Sequence, residues 1–146
     1  MKSEPVKLEQ IYKAPVSVIW EALMDKNQMK KWYFDIDKFV PEVGFEFSFE
    51  GGTEENKYVH LCKVIDVEEN KKISYSWRYR GYDGESLVSF DLYPEGDQTK
   101  LVLIHSGLDT FPANNPDFDL KNFEMGWNDI LTRSLKEFVE REFSNR

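Results

Sequence analysis

The sequence has little cysteine and no long apolar run. Its 146 residues include one cysteine, Cys62, so no internal disulfide can form, and this usage fits a reducing compartment. No apolar run approaches the roughly 20 residues that are needed to span a bilayer, and residues 1–5 lead into no signal-peptide stretch. We therefore expect a cytoplasmic protein that is not inserted in a membrane.

Basic residues and recognisable catalytic motifs are also scarce. The chain carries 19 Lys and Arg against 27 Asp and Glu, a formal net charge of -8. Because nucleic-acid-binding surfaces neutralise phosphates with basic side chains, this balance argues against a nucleic-acid partner. The sequence contains no glycine-rich phosphate loop, no Ser-His-Asp order and no paired-carboxylate signature. We expect no cofactor and no metal, and the sequence favours a non-enzymatic role while leaving catalysis open.

Aromatic residues, in contrast, are abundant: 11 Phe, 7 Tyr and 4 Trp. Such side chains bury on the order of 150–250 Å² each, so they either fill a thick core or line an apolar pocket. The chain has no linker, internal repeat or low-complexity run. We therefore expect residues 1–146 to form a single domain, as a monomer or a homodimer.

The beginning of the chain changes from a strand pattern to a helical one. We predict a strand over residues 6–13 and then a helix for which Pro15 is a favourable first residue. One apolar stripe marks this helix, at Val16, Ile19, Trp20 and Leu23. Asp25 followed by Gln28 is typical of a capping box, which predicts a second short helix ending near Trp32.

The middle of the chain alternates polar and apolar residues, as half-buried strands do. Phe45, Phe47 and Phe49 share one face of a strand that the glycine pair at residues 51–52 is predicted to end. Turn-forming residues separate four further predicted strands, over residues 57–68, 72–79, 86–94 and 99–106. Together these strands describe an antiparallel meander with one aromatic face.

The end of the chain combines a loop with a long helix. Residues 107–118 contain two Pro and two Asn and have the length of a lid or a binding loop. A helix is predicted over residues 119–143. Its apolar stripe consists of Leu120, Phe123, Trp127, Ile130, Leu131, Ser134, Leu135 and Phe138. The aromatic face of the sheet is the one large surface available to cover this stripe.

This order of elements resembles the START-like, or SRPBCC, helix-grip fold, in particular the family named after the activator of heat shock protein 90 ATPase homologue. The segments that carry the resemblance are 14–15 (AP), 18–23 (VIWEAL), Trp32, 43–44 (VG), 64–68 (VIDVE), 73–77 (ISYSW), 88–92 (VSFDL), 99–107 (TKLVLIHSG) and 126–127 (GW). Two positions depart from the family pattern: Cys62 replaces a glycine, and the turn after Glu68 lacks a proline. The resemblance implies an α+β fold in which a curved antiparallel sheet of about six strands grips the long C-terminal helix, with two short helices after the first strand.

The resemblance also implies a cavity between the sheet and the C-terminal helix. The first hypothesis is therefore a non-enzymatic domain that binds a small hydrophobic or lipid-like ligand, with residues 107–118 as its gate. One alternative is a co-chaperone-like partner of a heat shock protein 90-type ATPase with a role in the stress response. The eukaryotic co-chaperone has an additional N-terminal domain, and this chain begins at the helix-grip domain, so we expect ATPase stimulation less. The other alternative is an enzyme similar to polyketide cyclases and aromatases.

Fourteen residues are predicted to contact a ligand in this cavity. They are Trp32, Phe47, Phe49, Tyr58, His60, Tyr75, Trp77, Phe90, His105, Phe111, Phe123, Gly126, Trp127 and Ile130. The aromatic members either line the cavity or fill the core. A glycine inside a helix lowers the stability of the helix by about 1 kcal/mol relative to alanine, so Gly126 is expected to have a specific role. It either leaves room for a ligand or allows close packing against an aromatic ring.

The two histidines and the cysteine allow more than one interpretation. His60 and Cys62 are two residues apart on one strand and point to the same face, where such a pair can activate a thiolate or share a metal. Because a zinc site needs three or four ligands, we predict that the pair packs in the core and that His60 is its polar pocket residue. His105 lies either at the pocket mouth or in a hydrogen bond to the loop backbone. The cyclase-like alternative requires one of the two histidines to face the cavity.

Overall fold

The computed structural model describes residues 5–52 and 57–145, and in these ranges a six-stranded antiparallel sheet is the largest element. The strands are β1 Val6–Tyr12, β2 Glu46–Gly52, β3 Lys57–Glu68, β4 Lys72–Tyr79, β5 Ser86–Glu95 and β6 Gln98–Ser106. Their order in the sheet is β1-β6-β5-β4-β3-β2. The chain therefore forms the predicted meander from β2 to β6, and β1 pairs with the last strand.

Two short helices follow β1, and a long helix ends the chain. The helices are α1 Val16–Met24, α2 Lys26–Trp32, α3 Leu120–Asp129 and α4 Leu135–Ser144. A π-helical turn, Ile130–Ser134, joins α3 to α4, so the C-terminal helix is continuous. The predicted α+β helix-grip architecture is confirmed. Across residues 5–52 and 57–145, we find no helix with both the length and the apolar character that crossing a lipid bilayer requires.

The sequence predicts that the glycine pair at residues 51–52 interrupts the strand, but β2 continues through both glycines. Gly51 and Gly52 continue the ladder and pair with Tyr58 and Lys57 of β3. A Cβ atom on Gly51 would lie 2.8 Å from a carbon of the His60 ring and 2.9 Å from the Phe34 ring. The glycine therefore serves the close approach of two side chains inside the strand, one of the recurrent roles of strand glycines.

The starts of the two short helices also differ in detail from the prediction. Pro15 is the residue before α1 and not its first residue. Asp25 caps α2, since its carboxylate accepts a hydrogen bond from the Asn27 backbone N–H at 2.9 Å. The Gln28 side chain, however, donates to the Glu21 carboxylate at 2.8 Å and does not complete a capping box with the backbone.

The core lies between the inner face of the sheet and the C-terminal helix, as the alternation of residues predicts. Every second residue of β4 points inward, and Ile73, Tyr75, Trp77 and Tyr79 are all buried. The helix contributes a buried stripe that consists of Phe123, Trp127, Leu131, Leu135 and Val139. Leu120, the first residue of the predicted stripe, is instead 36% exposed.

The π-helical turn is held by a hydrogen bond from the opposite end of the chain. The hydroxyl of Tyr12, which is fully buried, donates to the Leu131 backbone carbonyl at 2.8 Å. A π-helical turn interrupts the regular i to i-4 ladder of the α-helix, so its carbonyl groups benefit from an outside donor. β1 and the C-terminal helix are thus joined by a polar contact as well as by packing.

Removal of the Tyr12 hydroxyl should therefore destabilise the fold. We expect Tyr12→Phe to lower the free energy of unfolding by about 1–2 kcal/mol, because the buried Leu131 carbonyl loses this donor. Urea denaturation followed by circular dichroism measures the change. Tyr93→Phe is the matched control, since Tyr93 is 50% exposed and should leave stability unchanged. Equal unfolding midpoints for Tyr12→Phe and the wild type would contradict the role assigned to this bond.

Candidate functional site

A cavity of about 590 Å³ lies between the inner face of the sheet and α3. Half of its fourteen lining residues are aromatic: Phe34, Tyr58, Trp77, Tyr79, Phe118, Phe123 and Trp127. The other lining residues are Gly52, His60, Asp117, Asn122, Met125, Gly126 and Ile130. Small-molecule sites typically measure about 300–1,000 Å³ and combine an apolar wall with a few polar groups, so this cavity has the dimensions of such a site.

The cavity has a buried end and a polar rim. His60, Trp77 and Trp127 are buried. Tyr58 and Asp117 are half-buried, and Asn122 is exposed. A molecule in the cavity would therefore meet aromatic rings at its inner end and hydrogen-bonding groups near solvent.

The fourteen sequence-predicted residues lie in three different places. Seven line the cavity: Tyr58, His60, Trp77, Phe123, Gly126, Trp127 and Ile130. Four surround a void of only about 10 Å³ next to α1 and α2, namely Trp32, Phe47, Tyr75 and Phe90. The remaining three, Phe49, His105 and Phe111, are buried in the core and line neither space. A ligand-contacting role for any of them stays a prediction.

The segment after α2 divides the interior into these two spaces. The Tyr33 ring stacks on Trp32 at 4.8 Å between centroids and lies 6.0 Å from the Trp127 ring. Its hydroxyl is 2.7 Å from the hydroxyl of Tyr75. The next residue, Phe34, stacks on Phe49 at 4.3 Å. Tyr33 borders the small void and Phe34 borders the cavity, so these two neighbouring rings lie between the two spaces.

Sequence reasoning alone left several lining residues out of the predicted site. Phe34 lies in an irregular segment and Asp117 in a single 3₁₀ turn, Pro116–Phe118, and both segments are too short for a periodicity that indicates the direction of a side chain. Tyr79 shares the inward face of β4 with Tyr75 and Trp77, and this alternation was the signal that could have placed it in the site.

Gly126 faces open space. A Cβ atom built on this residue meets no heavy atom within 4 Å, other than those of its own chain neighbours and its own helical turn. Close packing against an aromatic ring is therefore not the reason for a glycine inside α3. The alternative interpretation, that Gly126 leaves room in the cavity, agrees with this geometry.

His105 lies in the core, where it holds Trp127 in position. The Trp127 Nε1–H donates to His105 Nδ1 at 3.0 Å. In the neutral ring Nε2 then carries the hydrogen, and it donates to Ser86 Oγ at 2.8 Å. The Ser86 hydroxyl in turn donates to the Trp77 carbonyl at 2.8 Å. Burial lowers the pKa of His105 to about 3, which keeps the ring neutral.

His60 lies in the cavity wall and is also uncharged at neutral pH. Burial lowers the pKa of its ring to about 4. Its Nδ1 lies 3.1 Å from the Tyr58 carbonyl oxygen, which can only accept, so Nδ1 carries the hydrogen and Nε2 is an acceptor. The ring also stacks on Phe49 at 4.6 Å. His60 therefore offers the cavity a hydrogen-bonding ring and not a positive charge.

Cys62 is a buried free thiol next to this wall. Burial raises the pKa of the thiol well above its usual range, so the thiolate that nucleophilic or metal chemistry requires is not formed at neutral pH. Within residues 5–52 and 57–145, we find no group of three or more His, Cys, Asp and Glu side chains that could hold a metal ion. The packing role predicted for Cys62 agrees with this environment.

The rim is built by the connection between β6 and α3. Tyr58 donates a hydrogen bond to the Asp117 carboxylate at 2.5 Å, which ties the connection to β3. Asn122 of α3 donates to the Pro116 carbonyl at 2.6 Å. At the other end, the Thr110 hydroxyl accepts from the Glu85 N–H at 2.9 Å. The connection also contains two 3₁₀ turns, Leu108–Thr110 and Pro116–Phe118, so it is an ordered rim; a gating motion stays a prediction.

Comparison with known proteins agrees with this architecture. Residues 13–140 match the model of the family described as activator of Hsp90 ATPase homolog 1-like protein. The chain belongs to this family. The family predicted from the sequence motifs is thus confirmed.

Solved structures of several bacterial proteins are similar to this family member. Protein MLL2253 from Mesorhizobium loti is 28% identical with a TM-score of 0.77, over 94% of this chain and 98% of that one. CalU16 from Micromonospora echinospora is 27% identical with a TM-score of 0.72, over 95% and 78% of the two chains. Protein CV1439 from Chromobacterium violaceum, at 20% identity, a TM-score of 0.78 and coverage of 94% and 97%, shows the shared fold alone. No curated protein sequence matches the chain.

Because His60 and His105 are neutral in the folded protein, we expect the free energy of unfolding to decrease on acidification. Their pKa values of about 3 and about 4 in the folded state lie below the ordinary value of 6.5. The unfolded chain therefore binds protons first, and stability that is fully present above pH 6.5 is lost as the pH falls through this window. We expect the free energy of unfolding in urea to decrease from pH 7 to pH 5, with a slope near pH 5 of about 1.4 kcal/mol per pH unit for each histidine.

A single substitution separates the contribution of one histidine from that of the other. His60→Gln keeps a polar side chain in the cavity wall and should reduce the slope by about half, because one of the two proton-binding groups is gone. Carboxylates titrate mostly below pH 5, so they contribute little to this window. A flat profile between pH 7 and pH 5, or a slope that His60→Gln leaves unchanged, would contradict the assignment of neutral buried rings.

Proposed function

We propose that this protein binds a small, mainly apolar molecule in the cavity between the sheet and α3 and does not act on it chemically. The observation that carries the proposal is a cavity of about 590 Å³ with an aromatic wall, beside a helix glycine that leaves its space open. Burial of apolar surface is worth about 25 cal/mol per Å², so contact with these rings can supply most of the affinity.

Two features of the wall support binding by a preformed site. Trp77 and Trp127 are 5.5 Å apart between ring centroids, and the hydrogen bonds through His105 and Ser86 hold both residues. Phe34, whose ring lies 6.4 Å from that of Trp77, is stacked on Phe49. Because the rings are already ordered, a ligand loses little affinity to the cost of fixing side chains. Tyr58 and Asn122 at the rim provide polar groups that can orient a ligand.

The tryptophans provide a direct binding signal. Trp77 and Trp127 line the cavity, whereas Trp20 and Trp32 do not. We expect a panel of fatty acids, fatty alcohols, aliphatic amines and polycyclic aromatic compounds to contain molecules that quench tryptophan fluorescence and raise the melting temperature. Trp77→Phe should reduce the quenching, and Trp20→Phe should leave it unchanged. A panel that produces neither quenching nor a thermal shift would contradict the proposal.

Substitutions at Gly126 test the site without removing any wall residue. Gly126→Ala should keep ligand binding and stabilise the protein by up to about 1 kcal/mol, since the added Cβ atom meets no neighbour and alanine favours the helix. Gly126→Phe adds a ring at a lining position of the cavity and should weaken binding at least tenfold, about 1.4 kcal/mol. Glu124→Phe, at an exposed position that does not line the cavity, is the control for an added ring on α3. Unchanged ligand affinity in a folded Gly126→Phe protein would place the ligand elsewhere.

A cyclase-like or aromatase-like enzyme is the second candidate, favoured by the presence of His60 in the cavity wall. A neutral imidazole with an acceptor nitrogen can take a proton from a substrate that the cavity orients. Incubation with an aromatic-forming polyketone thioester, followed by product analysis, tests this candidate. Turnover that His60→Gln abolishes while binding is kept would favour the enzyme; no product above the protein-free rate would exclude it for that substrate.

A chaperone partner, which the family description suggests, is a further proposal. It is tested by the ATPase rate of a heat shock protein 90-type chaperone at saturating concentrations of this protein. An unchanged rate would reject it.

A further inference from the structure

We propose that the cavity selects molecules that join an apolar or aromatic body to a protonated amine, and that the Asp117 carboxylate recognises the amine. This inference rests on the proposed binding function and names the class of ligand. It follows from the charge of the lining, from the position of Asp117 and from the aromatic wall.

The charge of the lining is the first observation. The fourteen lining residues include no Lys or Arg, and Asp117 is the one Asp or Glu among them. The other ionisable group with an ordinary pKa near neutrality, His60, is held in its neutral form by burial. A cavity with one negative and no positive side chain favours a cationic ligand, and the overall net charge of -8 acts in the same direction.

The environment of the carboxylate is the second observation. Asp117 is half-buried at the rim, and no salt bridge within residues 5–52 and 57–145 neutralises it. Its backbone N–H donates to the Asn115 side chain at 3.0 Å, and its Oδ2 accepts from Tyr58. The carboxylate is thus held in one place by neutral groups while its negative charge lacks a cationic partner among the described residues. A protonated amine would supply that partner and donate to a carboxylate oxygen.

The aromatic wall is the third observation. Next to the carboxylate, the Tyr58 and Phe118 rings lie 5.4 Å apart between centroids, and Phe118 stacks on Tyr79 at 4.8 Å. Aromatic faces attract cations as well as apolar groups, so the same wall accommodates the body of the ligand and the carbons next to its ammonium group. A ligand carboxylate at this rim would instead face the charge of Asp117. The geometry therefore points to amines over the fatty acids that an apolar cavity alone would accept.

Three probes with one aromatic body separate these possibilities. We choose 2-naphthylmethylamine, 2-naphthylmethanol and 2-naphthoic acid and measure their affinities for the full chain by isothermal titration calorimetry at pH 7 and low salt. We expect the amine to bind about fivefold more tightly than the alcohol, and the acid to bind most weakly, as for a partly exposed ion pair. The preference for the amine should decrease as the salt concentration rises.

Asp117→Asn tests the residue itself. The amide oxygen can still accept the Tyr58 hydrogen bond, so the rim keeps an acceptor while its charge is lost. We expect the variant to lose the preference for the amine, so that the amine and the alcohol bind equally well. Asp109→Asn is the matched control: it removes the same charge from the same connection, but Asp109 is exposed and does not line the cavity. This control should keep the preference for the amine.

The outcomes distinguish the inference from the function on which it rests. Binding of the three probes to the wild type without preference for the amine would overturn the inference and leave apolar-ligand binding standing. A preference that persists in folded Asp117→Asn would overturn the role of this carboxylate. Failure of all three probes to bind would contradict both. Because the wild-type comparison needs no variant, the inference can be rejected even if Asp117→Asn does not fold.

Discussion

The buried hydrogen bonds from Trp127 through His105 and Ser86 to the Trp77 carbonyl join the C-terminal helix to three strands of the sheet. Each donor in this chain has an acceptor and each nitrogen of the His105 ring is used, which is the condition under which a buried polar network rigidifies a core and does not weaken it. The arrangement requires a neutral ring, since a protonated Nδ1 could not accept from Trp127. These hydrogen bonds fix the position of Trp127 on the helix relative to Trp77 on the sheet, and both residues line the cavity.

The aromatic residues serve two purposes that the structure separates. Tyr33 and Phe34 enter the interior from the segment after α2, where Tyr33 borders the small void and Phe34 borders the cavity. Phe47, Tyr75 and Phe90 therefore form core, and about 10 Å³ remains free beside them. On the side of α3, Gly126 adds no side chain of its own. Among residues 5–52 and 57–145, one part of the interior is therefore filled by side chains and the other holds the cavity of about 590 Å³.

The connection after β6 decides the chemistry of the cavity rim. Its buried aromatic residues Phe111 and Phe118 pack on Tyr79, which anchors the connection in the core. Asp117 directly precedes Phe118, and its hydrogen bond with Tyr58 places a carboxylate at the edge of an aromatic wall. The packed rings anchor the connection, and the hydrogen bond with Tyr58 orients the carboxylate. The cavity is therefore apolar at its inner end and carries a carboxylate near solvent.

The sequence by itself determined the order of elements, the family and the aromatic inward faces of β2 and β4. These features follow from local patterns: the bounds of β3 and β4 agree with the prediction because alternation and turn residues act over a few positions. Only the tertiary structure decided which inward residues meet a cavity. His60 and His105 both lie on inward faces, yet one lines the cavity and the other bonds to Trp127 in the core. The difference arises from packing partners that are distant in the sequence: His105 lies against Phe123 and Trp127 of α3, whereas His60 lies against Phe34 and Phe49. No sequence period indicates these contacts.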